Sequence, residues 1–189
     1  MASGGGGVWL EFHLDPEWAQ EFHDARMRAL PFSTQKETDV HLTVLYLGKE
    51  VTDKQAEILW KEGILPYLDQ RFFKDFVWKD PKKGSWSPPE VVMIDVVDTL
   101  PGRFETLYRA FYAKALELGI KVAGTNTSPD KHNGMHVTID KRASPPYSHS
   151  ELDAVNLHMG LFKNVSIFWE DVRLVRGDST NILWSYRFD

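Results

Sequence analysis

Apolar and polar positions alternate most cleanly at the start of the chain. Val8, Leu10, Phe12 and Leu14 are separated by Trp9, Glu11 and His13, and a period of two puts the first set on the buried face of a strand and the second on the opposite face. Asp15-Pro16-Glu17 follows with a capping carboxylate, a proline suited to a first helical turn and an early acid. Trp18, Phe22, Ala25 and Ala29 then recur at helical spacing. A helix ending near Leu30-Pro31 is predicted. Val40 to Leu47 reads as a second strand closed by Gly48, and a second helix begins at Thr52-Asp53 and runs to about Leu68. The stretch from Lys79 to Pro89 has loop composition at every position except Trp86. Val91 to Val97 is a continuous apolar strand, and Phe104 to Leu118 is a helix ended by Gly119. After a polar loop from Gly124 to Gly134 comes a short strand from Met135 to Asp140. Val165 to Val175 and Ile182 to Phe188 read as two closing strands.

Several of these connections are too short for parallel crossovers, so the order predicts an α+β fold on a mostly antiparallel sheet. The length of 189 residues and the 42% hydrophobic content suit one domain over residues 8–189, behind a glycine-rich tail at 1–7 that is expected to be flexible.

Composition narrows the chemistry. With no cysteine, disulfide frameworks, thiolate metal sites and cysteine nucleophiles are all excluded. No apolar run approaches the roughly 18 residues of a membrane helix, and the start lacks the basic-then-apolar order of a signal peptide. A soluble cytoplasmic protein without membrane contact is therefore expected, in which the sequons at Asn126 and Asn164 carry no glycosylation signal and Arg176-Gly177-Asp178 reads as a turn. The net charge of −5 argues against a protein that tracks a long nucleic-acid duplex, which would need a basic stripe; a small or short phosphate ester is the more natural partner.

The candidate chemistry lies in a repeated triplet. His41-Leu42-Thr43 and His136-Val137-Thr138 each stand at the start of a predicted strand, where period two makes the histidine and threonine of each triplet face the same way. A lone strand histidine is more often a half-buried structural residue than a catalyst; two in the same setting change that balance. Histidine titrates near neutral pH, as both a proton acceptor and a proton donor at phosphorus must, and threonine hydroxyls can donate to the non-bridging oxygens where charge concentrates. No carboxylate cluster with metal spacing accompanies the histidines, so neither a metal nor any other cofactor is expected.

The text around the triplets resembles the LigT-like 2H phosphoesterases. His41-Leu42-Thr43-Val44-Leu45-Tyr46-Leu47-Gly48-Lys49 is similar to that family's first motif, a His-x-Thr strand ending in an aromatic-Leu-Gly turn. The second triplet, followed by Lys141-Arg142, is similar to the second motif. The resemblance covers about residues 8–189 and departs at Met135, where many members carry proline. It implies two pseudo-symmetric lobes around a central cleft, with helices packed outside, each lobe offering one triplet. His41, Thr43, His136 and Thr138 would be the catalytic residues. For hydrolysis of a 2′,3′-cyclic phosphate it favours His136 activating water and His41 protonating the leaving oxygen, roles that could exchange for attack by an internal 2′-hydroxyl. The polar face of strand one would border the cleft, which makes Trp9 and His13 candidates for substrate contact. Trp86 and Tyr147 are candidate stacking platforms, and Lys141 and Arg142 candidate phosphate-steering residues. The implied substrates are an RNA end bearing a 2′,3′-cyclic phosphate or a short or cyclic signalling oligonucleotide of the kind that viral and phage members destroy; the expected enzyme is a monomer. The rival reading is a nucleotide- or RNA-binding module that keeps the cleft and does no chemistry.

Overall fold

The computed structural model describes residues 6–37, 40–68, 76–84, 89–100, 102–122 and 135–188. The alternating segment at the start forms β1 (Val8–Leu14), which runs into α1 (Pro16–Ala29), whose N-terminus is closed by the Asp15 side chain accepting from the Glu17 N–H. β2 (His41–Gly48) is followed by α2 (Asp53–Ile58), which opens on a capping box between Thr52 and Gln55. The predicted second helix does reach about Leu68, but as three joined pieces: after α2 the chain widens into a π-helical stretch, Leu59–Ile64, and tightens into a 3₁₀ turn, Leu65–Tyr67. β3 (Phe76–Lys83), β4 (Glu90–Asp98), α3 (Arg103–Glu117) and β5 (Met135–Arg142) come next. α4 (His149–Met159), β6 (Trp169–Arg176) and β7 (Asp178–Arg187) complete the described chain.

Two expectations change. Lys79 to Lys83 belong to β3 rather than to a loop: Pro81 sits beside a register shift in the β3–β4 pairing, a position where a strand tolerates a residue with no N–H to donate. α4 is an addition to the predicted elements, although Ser148 and Glu151 form a capping box in front of it. Its apolar stripe is short, with only Val155 and Met159 buried, so the pattern is weak. At the N-terminus the tail is tied down earlier than expected. The Gly7 carbonyl accepts from the Gly177 N–H at 2.8 Å, and a Cβ at Gly7 would lie 1.9 Å from the Tyr46 hydroxyl.

The strands form one antiparallel sheet in the order β3-β4-β5-β2-β1-β6-β7. One half (β1, β2, β6, β7) joins the other (β3, β4, β5) at the β2–β5 seam, through the single pair Leu42↔Val137. The helices compensate for so slight a seam by crossing over it. α1, which follows β1, leans on the other half: Phe22 packs edge-on against Trp78 of β3 at 5.8 Å, and Arg26 donates to the Ile139 carbonyl of β5 at 3.3 Å. α3, which follows β4, packs beside the stretch after β2. The Gln55 amide donates there to the Leu118 carbonyl, and Gly63 admits a contact so close that a Cβ would sit 2.8 Å from the Cβ of Lys114.

All of this packing is on one face of the sheet, where Leu10, Phe12, Leu42, Ile94, Val137, Val172 and Leu174 are buried in a single apolar core. Burying side chains of this size stabilises a fold by about 1.5–3 kcal/mol each. Phe12 packs against Phe76 and Trp169, and Trp169 stacks on Trp78 at 6.0 Å, so aromatic residues of both halves share that core. No helix among the described residues is long and apolar enough to cross a membrane.

Candidate active site

The β2–β5 seam is where the two triplets meet. Leu42 and Val137 are 1% and 0% exposed and face the core, so the residues on either side of each project from the opposite face. In an antiparallel ladder the neighbours of a register pair are themselves opposite one another. The pair Leu42↔Val137 therefore sets His41 across from Thr138 and Thr43 across from His136. Cross-strand neighbours of this kind have Cβ atoms about 4.5–5.5 Å apart. The result is a patch with the two histidines on one diagonal and the two threonines on the other.

No protein-family model matches the sequence, and no curated protein matches it either. Solved structures do. TT0787 of Thermus thermophilus aligns over 96% of this chain and 97% of its own, with a TM-score of 0.63 at 17% identity. E. coli LigT complexed with 3′-AMP aligns over 92% of this chain and 88% of its own, with a TM-score of 0.58 at 16% identity. A protein described as a phosphoesterase gives 0.59 at 16% over the same shares. The chain has the LigT fold.

On this LigT fold, strands on either side of the seam extend the polar row. On β4, Asp95 stands across from His136 and Met93 across from Thr138. On β1, His13 stands across from His41 and Glu11 across from Thr43. On β6, Arg173 stands across from Glu11 and Asp171 across from His13.

Glu11 is the residue that sequence reasoning passes over, because a glutamate on the polar side of a strand reads as solvent-facing. It is fully buried. Its Oε1 lies 2.5 Å from His13 Nε2, and its Oε2 accepts from the Trp9 indole N–H at 2.7 Å and the Ser179 hydroxyl at 3.1 Å. The same Oε2 stands 3.3 Å from His41 Nε2. Burial is the largest single influence on this carboxyl and works to raise its pKa. The hydrogen bond from His13, the charges of His41 and His13, and the Trp9 N–H together outweigh it and hold the pKa below the ordinary value. The signal available in the sequence is the spacing Trp9-x-Glu11-x-His13, three polar-capable side chains on one strand face.

The other candidate residues divide. His13 lies in the polar row, 7% exposed, with its ring 5.9 Å from that of His41. It borders a cavity of about 260 Å³ that also touches Arg173, Ser179 and Glu37. Trp9 is half-buried, its indole N–H engaged by Glu11 and its ring 6.0 Å from that of Tyr46. Lys141 is exposed, three residues past Thr138 and so about 10 Å further along the strand.

Tyr147 and Arg142 differ from the sequence reading. Tyr147 is 8% exposed, its hydroxyl donates to Asp140 at 2.9 Å, and its ring lies under the Arg142 guanidinium at 3.9 Å. Burial, then the Asp140 carboxylate, push its pKa up. Arg142 also pairs with Glu151 of α4 at 2.7 Å. Both residues anchor α4 to the end of β5, which is why an aromatic that looks unexplained in a loop offers no open ring face. Trp86 lies outside the described residues.

Proposed function

We propose that this protein is a phosphodiesterase of the 2H type, acting without a metal on a nucleotide phosphodiester beside a ribose 2′-oxygen. The observation that carries the reading is the seam: one cross-strand pair brings both His-x-Thr triplets onto the same open face, on a fold shared with LigT. LigT has been crystallised with ATP, NADP+, 3′-AMP and phosphate, which supports a nucleotide as the ligand class here.

In hydrolysis of a 2′,3′-cyclic phosphate, His136 takes a proton from water as the water oxygen bonds to phosphorus. The bond from phosphorus to the leaving ribose oxygen breaks, and that oxygen takes the proton of His41. His136 ends as imidazolium and His41 as neutral imidazole; one proton lost to solvent and one regained reset the pair. Thr43 and Thr138 donate hydroxyl hydrogen bonds to the non-bridging oxygens, where a donor acts most strongly on the transition state. Because the two imidazoles manage both protons, no ion is needed to generate the nucleophile.

The substrate is a small one, such as an RNA end carrying a cyclic phosphate, or a 2′,5′-linked or cyclic oligonucleotide of the signalling kind. The enzyme works as a monomer in the cytoplasm, with destruction of a host signal by a virus or phage as one setting. A panel of 2′,3′-cyclic, 2′,5′-linked and cyclic nucleotides assayed in excess EDTA tests this. Turnover in chelator, lowered by at least about 100-fold in His41→Ala and in His136→Ala, is the expected result. Activity that requires added Mg²⁺ or Mn²⁺ overturns the mechanism, and tight nucleotide binding with no turnover makes the chain a binding module instead.

A further inference from the structure

The polar face holds a fully buried charged group that the reaction above does not use. Glu11 has no exposure at all, yet both of its oxygens are engaged: one by His13, the other by Trp9, Ser179 and His41. An ionised carboxylate accepts at about four lone-pair positions, and the donors here come from three strands, so the group is fixed in place and cannot turn away from His41. A fixed negative charge in a dry setting favours the protonated form of an imidazole beside it.

We propose that Glu11 is a positioning residue that holds the His41 ring in place and stabilises it as imidazolium, so that His41 is the proton donor to the leaving oxygen. The inference rests on the phosphodiesterase reading and assigns its acid from a neighbour rather than from the triplets. Among the described residues, four elements bring charged or titratable groups to the pair. His13 on β1 competes for the same carboxylate, and does so at the shorter distance. Arg173 on β6 stands across from Glu11 but is closed on Asp171 at 2.9 Å, so the two largely cancel. Glu37 and Glu170 line the cavity beside His13, and His136 on β5 is the second imidazole of the site. Glu11 and His13 therefore act on His41 in opposite directions. The carboxylate raises its affinity for a proton, and a protonated His13, with its ring 5.9 Å away, lowers it.

The test is to follow the His41 imidazole by NMR across pH, its signal assigned with His41→Asn, in the wild type, Glu11→Gln and His13→Asn. The alkaline limb of kcat/KM is measured alongside. In Glu11→Gln the His41 titration and the alkaline limb should both move to lower pH, by about one to three pH units, with KM little changed; in His13→Asn both should move to higher pH. Packing alone does not produce shifts of opposite sign. A folded Glu11→Gln protein with an unmoved His41 titration overturns the inference, as does a His13→Asn shift to lower pH. If Glu11→Gln fails to fold, the wild type decides: His41 titrating well above the ordinary value of about 6.5 supports the pairing, and at or below it overturns the pairing. A chain that turns over no phosphodiester defeats the function proposed above, while the imidazole titrations still show whether Glu11 sets the charge of His41. Normal turnover with unmoved titrations defeats only the role of Glu11.

Discussion

The two halves of the site carry the same triplet in different company. On the β1 side, His41 stands beside a carboxylate with no exposure to water, locked by an indole, a hydroxyl and a second histidine. On the β4 side, His136 stands across from Asp95, which is 36% exposed and pairs with Lys82 at 2.5 Å. A buried charge acts on its neighbour at low dielectric; an exposed one is screened by water and, here, answered by a lysine. Two copies of one sequence motif can thus be given unequal proton affinities by residues outside the motif, and in-line displacement needs one acid and one base rather than two equals.

Removing the imidazoles should have the largest effect. His41→Ala and His136→Ala should each lower kcat by about 10²- to 10⁴-fold, and each should abolish a different limb of the pH profile, the alkaline limb for His41 and the acid limb for His136. Loss of the same limb in both would erase the difference between the halves.

The threonines come next. Thr43→Ala and Thr138→Ala should cost about 10- to 1,000-fold in kcat, with Thr→Ser recovering most of it, since the hydroxyl is the working group. Steady-state kinetics on all four variants would show whether the two corners contribute equally.

Stability in acid probes the buried side alone. The folded-state pKa of Glu11 lies below its unfolded value of about 4.3. Its contribution to stability is therefore fully present above that value and is lost as pH falls through the folded one. Urea unfolding midpoints of wild type and Glu11→Gln should differ most at neutral pH and converge as pH falls below the unfolded value. A gap that widens as pH falls would mean that Glu11 is not ionised in the fold.

Asp95→Asn should have the smallest effect. Exposed ion pairs contribute at most about 1 kcal/mol, so the His136 titration should move by less than about 0.7 pH unit. A shift as large as the one expected from Glu11→Gln would put the two halves on the same footing.

The triplets are legible in the sequence because period two is a local property: His41 and Thr43, like His136 and Thr138, must share a face whatever the strand pairs with. That β2 pairs with β5, and in the register that interleaves the triplets, is a long-range fact no local pattern carries. Glu11 escapes a sequence reading for a related reason: one of its partners, Ser179, lies 168 positions further on. Proline and lysine at 81–83 conceal a strand, because an edge position with a register shift tolerates both. Tyr147 reads wrongly from sequence because its partner Asp140 and the guanidinium above its ring become visible only once β5 and α4 are placed.

The single Leu42↔Val137 pair has a practical consequence for anyone who engineers this molecule. Since one rung joins the halves, the spacing between the two triplets is governed by the crossed helices and the shared aromatic cluster on the far side of the sheet. Turnover is then a gauge of that remote packing. On the proposed function, a trimmed ring such as Trp169→Leu, buried at 2% in the core, would be read out as a slower enzyme, and a library sorted for rate would select for the core as strictly as for the site.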